Sequence, residues 1–109
     1  MSEAPARLRL DKWLWAARFF KTRSLAKAAI EGGKVHLDGQ RVKVSKEISI
    51  GDTLQVRQGW EETVVVVRAL SDQRRGAPEA QQLYQETEAS RERRAAEAAA
   101  RKAAGGMLD

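Results

Sequence analysis

Apolar residues in the first third of the chain recur at helical spacing over two short segments. In residues 12–20, large apolar side chains fall on both sides of a helix, and Asp11 precedes them as a candidate N-cap. A second segment follows Thr22, another candidate cap, and ends at the glycines of residues 32–33. Its apolar stripe consists of Leu25, Ala26, Ala29 and Ile30. The pattern predicts two short helices, the first of them covered on both sides.

Alternating apolar and polar positions replace the helical spacing after residue 33. Asp38-Gly39 interrupts this alternation and is a strong signal for a two-residue hairpin turn. Further turns are expected at Gly51-Asp52 and at residues 58–60, with strands on either side of each. Trp60 stands at the tip of the last predicted hairpin, where its indole is either an exposed contact point or folded back over the sheet.

The character of the sequence changes after residue 70. Residues 71–78 are turn-rich, and Pro78 is well placed to start a helix rich in alanine and mixed charge. Within that helix only Leu83 and Tyr84 are large and apolar. We expect its first half to dock over Trp15 or Phe19 and its second half to project into solvent.

The predicted fold is of the α+β class, with two short helices, a small and mostly antiparallel sheet, and a C-terminal helix. The 109 residues leave room for one small core. We expect a flexible N-terminus at residues 1–6, one domain at 7–70, a linker at 71–78, and a charged helix and tail at 79–109.

Composition excludes several functions. The chain has no cysteine and one histidine, which rules out disulfides and thiolate metal sites and leaves little for any other metal. The first residues lack the apolar core of a signal peptide, and the longest aliphatic run, residues 64–67, is too short to span a bilayer. We therefore expect a cytoplasmic protein with no metal, no cofactor and no membrane partner.

Positive charge is concentrated at one end of the chain. Residues 1–46 hold eleven of the Lys and Arg residues against four Asp and Glu, whereas residues 71–109 hold seven of each. Such an asymmetry is typical of a surface that binds a polyanion, although basic clusters are often only solvated.

The start of the second helix suits a phosphate. Its first N–H groups lack intrahelical acceptors and lie at the positive end of the helix dipole, and Lys21 and Arg23 flank the Thr22 cap. An ordinary capped helix with solvated lysines is the alternative. For Trp15 and Phe19, burial under a second layer is favoured over stacking on an unpaired base.

Joined together, residues 9–56 resemble the S4 domain, an RNA-binding motif of two helices and a hairpin. The residues that carry this resemblance are Arg9-Leu10-Asp11, Thr22-Arg23, Ala26, Ile30-Glu31-Gly32-Gly33, Val35, Asp38-Gly39, Ser45 and Gly51-Asp52. The wording of residues 11–26, 31–46, 57–59 and 73–80 further resembles the ribosome-associated heat-shock family built on this domain, the heat shock protein 15 type.

This resemblance implies binding to ribosomal RNA on free large ribosomal subunits, particularly those still carrying a nascent chain on tRNA, and a role in recycling them under heat stress. Carried over by position, the RNA surface comprises a helical set and a hairpin set. The helical set is Arg9, Lys12, Arg18, Lys21, Thr22, Arg23 and Lys27, and the hairpin set is Lys34, His36, Gln40, Arg41 and Lys43.

Three classes of function remain open. A non-catalytic RNA-binding factor is favoured, since no nucleophile with a partnered base and no nucleotide-binding glycine loop is recognisable. The alternatives are an RNA-binding fragment of an RNA-modifying enzyme, acting on another structured RNA, and a protein-interaction module that works through the C-terminal helix. We expect a monomer that contacts peptidyl-tRNA as well as ribosomal RNA and binds DNA more weakly.

Overall fold

Two helices packed on a small sheet form the core of the computed structural model, which describes residues 6–107, with side chains up to residue 104. The elements, in chain order, are β1 (Leu8–Arg9), α1 (Leu10–Ala16), α2 (Arg23–Glu31), β2 (Val35–Leu37), β3 (Gln40–Arg41), β4 (Glu47–Ile48), β5 (Thr53–Gln58), β6 (Glu61–Val67), α3 (Ala77–Gln81), β7 (Tyr84–Glu86) and α4 (Glu88–Met107). The predicted α+β class is confirmed.

The sheet is antiparallel throughout, with strand order β3-β2-β5-β6-β7, and β1 pairs separately with β4. Period-two alternation places Leu54, Val56 and Val65 on the face that meets the helices, and all three are fully buried. Trp13 and Ile30 pack into the same cluster from α1 and α2. The core therefore lies between the helical pair and one face of the sheet.

The hairpin predicted around Asp38-Gly39 is confirmed. Leu37 pairs with Gln40, so the turn contains only the two predicted residues. Asp38 and Gly39 have φ angles of 51° and 81°, the left-handed conformation that a type I′ turn requires at both positions. The turn matches the twist of the strands and fixes their register.

Helix α1 is shorter than predicted. It ends at Ala16 because Arg18 takes a left-handed conformation, with φ of 66°. Arg18 N–H donates to the Trp15 carbonyl (3.1 Å) and Phe19 N–H to the Leu14 carbonyl (3.0 Å), the pair of bonds that closes a Schellman ending. Because this position is not a glycine, the end of the helix could not be predicted from the sequence.

The continuous helix predicted from residue 79 is interrupted, and that prediction is wrong. Residues Tyr84–Glu86 form β7, an edge strand that pairs with β6, between the short α3 and the long α4. Local composition favours helix here, but β6 offers an unpaired edge, and the ladder bonds made there outweigh the propensity. The predicted flexible N-terminus, residues 1–6, lies outside the described residues except for residue 6.

Tyr84 packs against aromatic side chains of the first helical segment, which was predicted to be covered on both sides. Its ring centroid lies 4.8 Å from that of Phe19 and 6.4 Å from that of Trp13. The Trp13 indole N–H donates to the Ala69 carbonyl (2.9 Å), so the polar edge of this buried ring is satisfied. The predicted docking over Phe19 is confirmed, although a strand and not a helix supplies the tyrosine.

Polar contacts fasten the first half of α4 to the sheet. The buried Ser90 hydroxyl accepts from Val64 N–H (2.9 Å) and donates to Glu86 (2.7 Å). Arg94 donates two hydrogen bonds to the Glu86 carboxylate, which lower the pKa of Glu86 against the opposing effect of burial. From residue 95 to residue 104 every side chain is exposed, as expected for a projecting second half.

Replacing Tyr84 with Ala tests the aromatic contact. Removing this half-buried ring should lower the free energy of unfolding by about 2–4 kcal/mol and alter tryptophan fluorescence, because Trp13 and Phe19 lose their cover. Denaturant titration followed by fluorescence measures both effects. Gln85→Ala, at the exposed neighbouring position, is the control. Equal stability of the two variants would contradict the packing described.

Candidate nucleic-acid interface

The start of α2 has the predicted capping geometry. Thr22 has an extended backbone, and its hydroxyl accepts from Leu25 N–H (3.1 Å). The N–H groups of Arg23 and Ser24 precede the first intrahelical donor, so they face outward at the positive end of the dipole. Lys21 and Lys27 are exposed and make no salt bridge within residues 6–107. These groups leave several donors and positive charges for an anion.

A buried carboxylate joins this helix start to α1. Asp11 is fully buried and accepts from Arg9 Nε (3.1 Å) and Arg23 Nη2 (3.2 Å). Asp11 is therefore not the N-cap predicted from the sequence; it lies inside the first turn of α1, and Arg9 occupies the cap position without a side-chain bond. The Arg9 and Arg23 side chains are 44% and 39% exposed, so each remains partly open to solvent.

The ionisation of Asp11 depends on these partners. Burial raises the pKa of Asp11, but hydrogen bonds from Arg9 and Arg23, together with their positive charge, outweigh that effect and hold the pKa below its ordinary value. The carboxylate thus stays charged at neutral pH, and both arginines stay fixed beside it.

Arg41 lies at the opposite end of α2. Its guanidinium donates to the Glu31 carbonyl, the last residue of the helix, where a cation complements the negative end of the dipole. A Cβ on Gly33 would lie 3.6 Å from the Arg41 guanidinium, and Gly33 has the left-handed φ of 75° that ends the helix. Arg41 therefore stabilises the helix ending as well as adding charge.

A groove of about 500 Å³ lies beside the β2–β3 hairpin. Leu37 and Val42 line it together with Gln40, Lys43 and Lys46. The Lys46 carbonyl accepts from Leu10 N–H (2.8 Å), which places the groove next to Arg9 at the start of α1. Lys46 was missing from the predicted site, although its position as the third basic residue after the hairpin turn, following Arg41 and Lys43, is visible in the sequence.

The remaining predicted residues lie elsewhere. His36 pairs across the sheet with Arg41 and Gln55, on the face opposite the helices, and lines a small cleft of about 150 Å³ with Lys34. Arg18 donates to the Arg75 carbonyl (3.0 Å), and Lys12 is half-buried. The structure thus brings Arg9, Arg23 and the hairpin groove together, and it places Lys34, His36 and Arg18 outside that group.

One residue of the predicted apolar stripe is exposed. Ala26, Ala29 and Ile30 are buried as predicted, but Leu25 is 50% exposed. Alanines at the contact let α2 approach α1 closely, so a narrow stripe suffices and Leu25 falls outside it. The prediction that Leu25 belongs to the core is wrong.

Within residues 6–107 no three His, Asp or Glu side chains come together in a way that would hold a metal ion. Of the helices in the same residues, none has the length and apolar character needed to cross a membrane.

A helical pair with a capped basic start, packed on a small antiparallel sheet, defines an S4-type RNA-binding domain. The S4 domain family model accordingly matches residues 8–54. A heat shock protein 15 homolog of Haemophilus influenzae is 64% identical over 99 residues, which cover 91% of this chain and 76% of the relative. The chain belongs to the heat shock protein 15 family.

Two further comparisons support and extend this assignment. A solved structure described as the trimeric structure of Vibrio cholerae heat shock protein 15 superposes with a TM-score of 0.84 at 58% identity, covering 87% of this chain and 96% of the other. A Bacillus subtilis protein named RQC P-site tRNA stabilizing factor is 38% identical over 65 residues, 60% of this chain and 76% of the relative. The similarity therefore covers most of the fold.

Replacing Asp11 with Asn tests the carboxylate. At neutral pH the variant should lose about 1–3 kcal/mol of unfolding free energy, the lower part of the range applying if the partly exposed arginines regain water. A lowered pKa stabilises the fold above the ordinary value near pH 4 and loses this effect as pH falls through the lowered pKa, so the difference should shrink in acid.

Thermal unfolding across a pH series measures both effects. The control is Asp38→Asn, at an exposed turn position with a left-handed φ that asparagine tolerates, which should stay within about 0.5 kcal/mol of the parent. An Asp11→Asn variant as stable as the parent at every pH would refute the role of the carboxylate.

Proposed function

We propose that the protein is a non-catalytic RNA-binding factor that binds ribosomal RNA on free large ribosomal subunits. Its preferred targets are subunits that still carry a stalled nascent chain on tRNA, and it aids their recycling under heat stress. The observation that carries this proposal is a run of cations from Lys21 through Arg23 and Arg9 to the lysines of the hairpin groove, in which Asp11 holds the two arginines in place.

The comparisons support the ribosomal target. Relatives over most of the chain bear the heat-shock name, and a more distant relative is named as stabilising P-site tRNA. A protein that stabilised tRNA on a free large subunit would need to contact both RNAs. The start of α2 and the hairpin groove, each bonded to the start of α1, provide two basic areas for such contacts.

In this proposal the protein recognises the sugar-phosphate backbone of the RNA. Lys21 and Lys27 provide charges without intramolecular partners in the described part of the chain, and the free N–H groups at the start of α2 provide directed donors. Such groups position a phosphate but do not read a base. Because A-form RNA is recognised by its shape and its 2′-hydroxyls, DNA should bind more weakly through the same phosphate contacts. One chain carries this whole surface, so a monomer suffices for binding.

Cosedimentation with purified large subunits, with and without trapped peptidyl-tRNA, tests the proposal across a salt series. Lys21→Ala and Lys27→Ala should each weaken binding about fivefold and make the log-log salt slope shallower by about 0.7–0.9 per lost phosphate contact. These lysines are suited to the test because neither is engaged in folding contacts, whereas Arg23 supports Asp11.

The matched control is Arg68→Ala, which removes an exposed positive charge outside the proposed surface. It should leave both affinity and slope unchanged. If the two lysine variants bound as tightly as the control with an unaltered slope, the start of α2 would not be the interface.

A further inference from the structure

Trp60 is the most exposed large apolar side chain of the described residues. It forms the tip of the β5–β6 hairpin with Gly59, and 81% of its surface is exposed. The sequence left open whether the indole folds back over the sheet, and the structure shows that it does not. An indole left in water supplies little burial free energy, and its ring face stays available for a contact.

A cation already lies over this ring. The guanidinium carbon of Arg101, from the projecting half of α4, is 5.4 Å from the indole centroid. With most of the ring exposed, the other face remains accessible. Lys102 follows Arg101 and is also exposed. Neither forms a salt bridge within the part of the chain that the structure describes.

The acidic side chains near the hairpin tip are occupied by other arginines. Glu62 lies within 3.8 Å of Arg57 and 3.9 Å of Arg93, and Glu61 lies 3.4 Å from Arg94. The charge left over at the tip is therefore positive. An accessible aromatic face beside uncompensated cations is complementary to a nucleotide, which offers a flat base and a negative phosphate.

The hairpin beside the tip also adjoins α2 near Leu25, Ala28 and Ala29. A groove of about 370 Å³ runs between them, lined by Phe20, Leu25, Lys34, Arg57 and Gly59 among others. The exposed Leu25 lines this groove, and Lys34 adds a positive charge to its lining. An RNA strand bound at the helix start would reach the hairpin tip along it.

We propose that Trp60 and Arg101 form a stacking site for an unpaired nucleotide of the bound RNA. The base stacks on the free face of the indole, and the phosphate lies beside Arg101 and Lys102. The proposal rests on the RNA-binding function proposed above and adds to it a contact from the C-terminal helix. A second copy of the chain or a peptide is a less suitable occupant, because the unpaired charges at the tip would then be desolvated without an anion.

Two RNA probes with the same stem test the site, one blunt and one with a short single-stranded 3′ extension. Trp60→Ala should weaken binding of the extended RNA about 5- to 150-fold, the range expected for loss of one stacked base, and should leave the blunt RNA unchanged. Trp60→Phe should keep most of the affinity for the extended RNA while abolishing the fluorescence quenching that stacking causes in the parent. Arg101→Ala should weaken the extended RNA alone.

The variants should melt at the parent temperature, since Trp60 and Arg101 are exposed.

Lys21→Ala serves as the reference and should weaken binding of both RNAs. If Trp60→Ala bound the extended RNA normally while Lys21→Ala weakened both, the stacking site would be overturned and the RNA-binding function would stand. If Lys21→Ala also had no effect, the proposed function itself would fail. A change of sedimentation coefficient in Trp60→Ala without a change in RNA affinity would identify the tip as an interface between copies and overturn the site.

Discussion

A buried negative charge fixes the geometry on which the candidate surface depends. Removing a carboxylate from water costs several kcal/mol unless it is paired and hydrogen-bonded, so Asp11 is stable in the core only with its arginines beside it. Those partners come from the end of β1 and the start of α2. A single carboxylate therefore ties the start of α2, where we propose that a phosphate binds, to the start of α1, and it fixes Arg9 and Arg23 beside each other.

Arginine and lysine side chains have different roles in this part of the molecule. Arg9 and Arg23 hold Asp11, Arg41 caps the end of α2, and Arg18 donates to a carbonyl after β6. The planar guanidinium suits such fixed, directed bonds while leaving outer donors free. The exposed lysines, with flexible stems and strongly hydrated charges, make no salt bridges in the described residues. Arg9 and Arg23 thus help to build the surface, and in our proposal the lysines make most of its phosphate contacts.

Local signals made some features predictable. The Asp38-Gly39 turn and the Thr22 cap follow from residues close together in the chain, and both are as predicted. The incorrect predictions concern features that depend on contacts between residues far apart in the sequence or on an unusual backbone conformation. Asp11 was predicted to be a helix cap because its ion pair with Arg23 cannot be seen in the sequence. The strand at Tyr84 forms because β6 has a free edge for it to pair with. The end of α1 depends on a left-handed conformation at Arg18, a position where the sequence has no glycine to indicate it. Lys46 belongs to the candidate site because its backbone carbonyl accepts a hydrogen bond from Leu10 N–H, which places it beside the start of α1.

The most direct test of this account is amine-reactive footprinting of the chain, free and bound to purified large ribosomal subunits. It reports each lysine separately and needs no substitution. We predict that Lys21, Lys27, Lys43 and Lys46 react more slowly in the bound protein, because they lie on the surface that we propose binds RNA. Unchanged reactivity at all four lysines in a demonstrably bound protein would contradict the account.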